Sequence, residues 1–93
     1  MEIELELISD LPPFYEISDY LWGRDANIDS DGNSNDPAAS KWTELTLILR
    51  SDESQRIDID PIEGKEGFLK LRAEDLKLGQ RVVSFLKQYG AIK

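Results

Sequence analysis

The sequence predicts a two-layer α+β domain: a four-stranded, mainly antiparallel sheet, a C-terminal amphipathic helix on one of its faces, and a long acidic loop near residues 24–40. Three observations predict it. Apolar and polar residues alternate with period two in four separate segments, the pattern of strands with one buried and one wet face. After Asp75 the period changes to that of a helix. Between Arg24 and Ser40 the only large apolar residue is Ile28, too little to contribute to a core.

The first strand runs over residues 2–8, where Ile3, Leu5 and Leu7 alternate with Glu2, Glu4 and Glu6. Pro12 and Pro13 end it and fit only the first turn of a helix. Phe14, Ile17 and Leu21 then follow at helical spacing, and Gly23 closes a short helix. A strand reading of the same residues, favoured by their aromatic content, stands beside it. The second strand extends from about Trp42 to Arg50, with Leu45, Leu47 and Leu49 on one side. The third carries Ile57 and Ile59 and ends at Pro61, which cannot donate to a ladder. Phe68 to Arg72 form the fourth, with Leu69 and Leu71 inward. Short polar turns between successive strands imply an antiparallel meander. Leu78, Val82, Phe85, Leu86 and Tyr89 form one helical stripe, with Asp75 as N-cap and Gly90 at the C′ position.

With 93 residues, of which 40% are hydrophobic, the chain suffices for one core, so residues 1–93 form a single domain. It contains no cysteine and no histidine, which removes disulfides, thiolate zinc sites, histidine-based triads and an imidazole pH switch. The start of the chain alternates acids with apolar residues, unlike a secretory signal, and no apolar run approaches the length of a membrane span. A cytoplasmic setting is expected.

Of the formal charge of −8, the whole excess lies in residues 1–40, which hold ten acids and one base; residues 41–93 hold nine acids and ten bases. Such a field repels phosphates, so neither nucleic acid nor a membrane is an expected partner. A basic protein surface or a cation is the complement.

The sharpest local pattern is Asn27-Ile28-Asp29-Ser30-Asp31-Gly32-Asn33. Oxygen-bearing side chains at alternate positions before a glycine are what a calcium loop needs. The segment resembles the first half of the calcium loop of EF-hand and dockerin-type modules. That resemblance implies Asn27, Asp29 and Asp31 as the first, third and fifth ligands, Gly32 at the turn and Asn33 as the backbone-carbonyl position. The match stops at Ser34, where the family has an apolar anchor, and at Ala38, where it has a bidentate glutamate. A solvated acidic loop is the competing reading, because Asp, Asn, Ser and Gly compose any exposed turn.

No enzyme is expected. Asp58 and Asp60 lie on one strand face without a cue for burial, Ser40-Lys41 has no supporting motif, and the glycines are scattered at turn and cap spacing. No cofactor is implied. The uncovered sheet face is expected to carry Glu2, Glu4, Glu6, Glu44, Thr46, Arg50, Arg56, Asp58, Asp60, Lys70 and Arg72, with Asp58 and Asp60 paired across strands to Lys70 and Arg72. Trp42, Ile48 and Phe68 on that face would make an apolar patch which, with Trp22 beside the acidic loop, suits docking of another protein, a basic one by charge complementarity, or of a second copy of the chain. The expected function is a non-catalytic, inhibitor-like protein-binding domain, with a calcium module through residues 27–36 as the alternative and a carboxylate-based metal enzyme as a third.

Overall fold

The computed structural model describes residues 1–33, 36, 38 and 42–93. Its elements are β1 (Glu2–Glu6), α1 (Phe14–Trp22), β2 (Ile28–Gly32), β3 (Leu45–Leu49), β4 (Arg56–Pro61), β5 (Phe68–Arg72) and α2 (Leu76–Tyr89). The α+β class agrees with the sequence reading, but among the described residues the sheet has five strands, not four. They run antiparallel in the order β1-β5-β4-β3-β2. The extra strand, β2, is cut from the stretch expected to be loop, and it pairs with β3 from Ile28 opposite Leu49 to Gly32 opposite Leu45.

The registers sort the side chains. Leu5 faces Leu69, Leu71 faces Ile59, Ile59 faces Leu45, and Ile57 faces Leu47. All seven are buried, in one cluster with Phe14, Ile17 and Leu21 of α1 and Leu78, Val82 and Leu86 of α2. Both helices therefore cover the same side of the sheet, α1 as well as the expected α2.

Trp42, placed on the open face by strand alternation, belongs instead to this core. It is 1% exposed and its indole Nε1 donates to the buried Pro12 carbonyl at 2.8 Å. The alternation failed because β3 begins at Leu45 rather than at Trp42, so Trp42 precedes the pleat and is free to turn inward.

Both ends of α2 are satisfied by neighbouring groups, and the C-terminal end of α1 by a side chain of α2. Asp75 Oδ1 accepts from the Leu78 amide at 3.1 Å, and Gln55 donates to the other carboxylate oxygen at 2.6 Å. Gly90, with φ of 89°, donates back to Leu86 and Lys87, the left-handed stop that glycine adopts without strain. Arg81 of α2 donates to the Tyr20 and Leu21 carbonyls at 2.8 and 3.0 Å, placing a cation at the negative end of α1. Among the described residues no helix is long and apolar enough to cross a membrane.

Candidate functional site

The side of the sheet away from the helices is the open face, and the registers give its composition row by row. One row reads Glu2, Arg72, Asp58, Thr46, Asp31 across β1, β5, β4, β3 and β2; the next reads Glu4, Lys70, Asp60. Charges thus alternate in sign across β1, β5 and β4, and the alternation stops at Thr46 of β3. Lys70 meets Glu2 at 3.1 Å, Lys65 meets Glu4 at 2.6 Å, Arg72 meets Asp60 at 2.9 Å and Arg56 meets Asp58 at 3.0 Å. Pairs so exposed contribute about 0–1 kcal/mol each; their main effect is to neutralise this part of the face.

Asp58 is the most enclosed of these acids. Burial pushes its carboxyl up, but hydrogen bonds from Arg56 and from Thr46 at 2.6 Å, with the charges of Arg56 and Arg72, outweigh burial and leave its pKa below the ordinary value. The Arg56 guanidinium is raised in turn, chiefly by its hydrogen bond to Asp58. The hydrogen bond from Lys65, then its charge, holds the Glu4 carboxyl below its usual range. A depressed carboxylate fixed to a guanidinium is poorly suited to take up or release protons near neutrality. The cleft beside it, between Met1, Glu53, Arg56, Arg72 and Glu74, is open and lined by these same charges.

The four residues proposed from sequence to bind a partner are not brought together. Trp42 is in the core. Trp22 ends α1 in the helical layer, half-buried against the core, its indole 3.5 Å from Gln55 Oε1. Ile48 and Phe68 do lie on the open face, both half-buried, but Ile48 is level with Arg56 and Phe68 lies one residue beyond the Pro61–Leu69 pair. Six residues of strand separate those levels, roughly 20 Å. Phe68 is also capped by the Lys65 ammonium, 5.0 Å from its ring centre. The expected apolar patch is therefore dispersed.

The predicted calcium ligands are likewise spread out. Because Ile28–Gly32 is a strand, Asp29 and Asp31 point to the open face two residues apart, instead of converging around a turn. Asp29 is held by Arg50 at 2.7 Å, and Asp31 accepts from the Gly32 amide at 2.9 Å. The Asn33 side chain accepts from the Thr43 and Glu44 amides and donates to the Thr43 hydroxyl, fastening the strand end to the approach of β3. The Asn27 carbonyl accepts from Arg50. Among the described residues no three acids gather as a metal site would require. Ser34, Ser40 and Lys41 lie outside the described residues.

What the sequence reading missed is the edge that β2 forms. Exposed acids gather around it: Asp25, Asp29, Asp31 and Glu44. Of these, Asp25, Asp31 and Glu44 take part in no ion pair among the described residues. A shallow groove on the open face follows the same strand, lined by Asp29, Ser30, Asp31, Thr46, Ile48 and Arg56. A second exposed feature lies on the helical side, where Tyr20 stacks on Phe85 at 4.9 Å and Phe85 contacts Tyr89 at 6.3 Å. Comparison of the chain with protein-family models, with curated proteins and with solved structures finds no match.

Proposed function

We propose that the protein is a non-catalytic, inhibitor-like binding domain that acts by docking a basic protein against the β2 end of its sheet. The observation that carries this reading is the unequal neutralisation of the open face. The acids of β1 and β4 are matched by Lys65, Lys70, Arg56 and Arg72, whereas at the β2 end Asp31 and Glu44, with Asp25 in the turn before the strand, make no ion pair among the described residues. Unmatched surface charge gathered on one side steers a partner of opposite sign and fixes its orientation. Most of the large apolar side chains support the same reading by packing inside: among the described residues 16 of them form one core with Ala73 and Ala91, and the surface grooves are open and charged. Chemistry on an enclosed substrate would need convergent groups with displaced pKa values, whereas the carboxylates with resolved shifts are depressed ones already held by partners. A cytoplasmic setting suits a chain without cysteine.

The test is affinity capture by the wild-type chain beside a variant carrying Asp25→Lys, Asp31→Lys and Glu44→Lys. These positions are exposed, so the melting temperature should move little. The wild type should retain basic proteins that elute with added salt, and the variant should lose them. Retention of the same proteins by both chains would overturn the reading.

A further inference from the structure

We propose that the outer edge of β2 is a docking strand for an extended, basic segment of the partner, which adds to the sheet as a sixth strand. This deepens the reading above and rests on its basic partner. The hydrogen-bond register identifies the free groups. The Arg50 amide donates to the Asn27 carbonyl and the Asn33 amide to the Glu44 carbonyl, so residues 27, 29, 31 and 33 turn their backbone groups toward β3. Ile28, Ser30 and Gly32 consequently turn theirs away from the sheet. The Gly32 amide is taken by the Asp31 carboxylate. The amides and carbonyls of Ile28 and Ser30, with the Gly32 carbonyl, have no partner among the described residues, and such a row is a template for another strand.

The opposite edge differs. There Leu7 bridges Ile92, the Ile8 amide donates to Ala91 and the Lys93 amide to Glu6, so residues 91–93 cover the Glu6 end of β1 and the two residues that follow it. The outward groups that remain belong to Glu2 and Glu4, whose carboxylates are already met by Lys70 and Lys65. Charge then selects the occupant of β2. A second copy pairing β2 against β2 would set Asp29 and Asp31 beside their own counterparts, and like charges across adjacent strands repel. A strand with Lys or Arg at alternate positions would put its cations beside Asp29 and Asp31 on the open face. Its intervening residues would lie on the helical side, beside half-buried Ile28.

The probe is a nine-residue peptide alternating Lys and Val, titrated into the isotopically labelled chain and followed by amide shifts and hydrogen exchange. A Glu/Val peptide of equal length is the control. The Lys peptide should shift the Ile28 and Ser30 amides and slow their exchange at least tenfold at saturation; the Glu peptide should do neither. Ser30→Pro removes an outward donor from an edge position that tolerates proline and should weaken binding at least tenfold. N-methylation of the peptide's valines, which leaves its charge intact, should do the same without altering the protein. Equal binding by the methylated peptide would mean that charge alone holds it, overturning the strand-addition proposal while leaving the basic-partner reading in place. Lys-peptide binding that bypasses β2, no binding at all, or a wild-type dimer in sedimentation that Ser30→Pro dissociates would each overturn the proposal.

Discussion

Replacing Trp42 with Phe tests the assignment of this residue to the core. The ring remains apolar, but the indole N–H that reaches the Pro12 carbonyl at 2.8 Å is lost. Pro12 is itself fully buried, so its carbonyl is left without a donor, at a cost of about 1–3 kcal/mol. The smaller ring leaves a void worth about 1 kcal/mol more. The total, about 2–4 kcal/mol, is a large part of the roughly 5–14 kcal/mol expected for a domain of this length. At about 4–8 °C per kcal/mol, the melting temperature should fall by about 8–32 °C. Trp42→Ala should cost about 3–5 kcal/mol or more. Urea unfolding followed by circular dichroism and by Trp22 fluorescence measures the change, with an unaltered denaturant slope confirming that the native state alone was affected. Ile48→Ser is the internal control, since Ile48 is half-buried on the open face. If Trp42→Phe shifts stability by less than about 0.5 kcal/mol, as surface substitutions do, the packing argument fails.

Two further outcomes follow from local geometry. A Cβ at Gly32 would overlap the Glu44 carbonyl oxygen, with the Glu44 carbonyl carbon 3.0 Å and Leu45 Cα 3.2 Å away, all backbone that cannot give. Gly32→Ala should lift the end of β2 at a cost of about 1–3 kcal/mol, seen as faster hydrogen exchange at Asp31 and Asn33; unchanged protection would refute the close approach. Asp58 has a folded-state pKa below its unfolded one, so its stabilising contribution is complete above the unfolded value near about 4 and is lost as pH falls through the depressed folded value. Asp58→Asn should therefore flatten the acid limb of the stability profile below about pH 4, and parallel profiles for the two chains would contradict the pairing.

The sequence was most legible where side-chain periodicity and local chemistry agreed. The helix from Leu76 carries both its cap and its stop in the residues Asp75 and Gly90, and the inward leucines and isoleucines of β3, β4 and β5 announce their face by simple alternation. The opposed charges on Asp58, Asp60, Lys70 and Arg72 are likewise set by strand parity, and the registers bring them side by side. Strand β2 was hidden because its residues, Ile-Asp-Ser-Asp-Gly, have the propensities of a turn; pairing with β3 overrides them. Trp42 was misplaced because extending β3 three residues too far assigns its ring to a face that the backbone there does not define. A candidate site on a strand edge leaves almost no trace in composition, since the groups that form it are main-chain groups that every residue carries.

The acids along β2 have two consequences from one cause. An edge strand with unpaired amides invites any passing strand, and carboxylates along it repel a second copy of the same chain. Repulsion alone would be served equally well by lysines, which would balance the excess of acids in the first forty residues. Instead this edge has the sign opposite to that of any lysine-rich or arginine-rich segment. On the proposed docking, the choice of carboxylates closes the edge to a second copy while leaving it open to a basic segment. Discrimination of this kind comes from the repulsive element as much as from the attractive one. Asp31→Lys with Asp29→Lys should invert it, so that the chain ignores a Lys/Val peptide and binds the Glu/Val one; a variant that keeps the original preference would locate the selectivity elsewhere on the sheet.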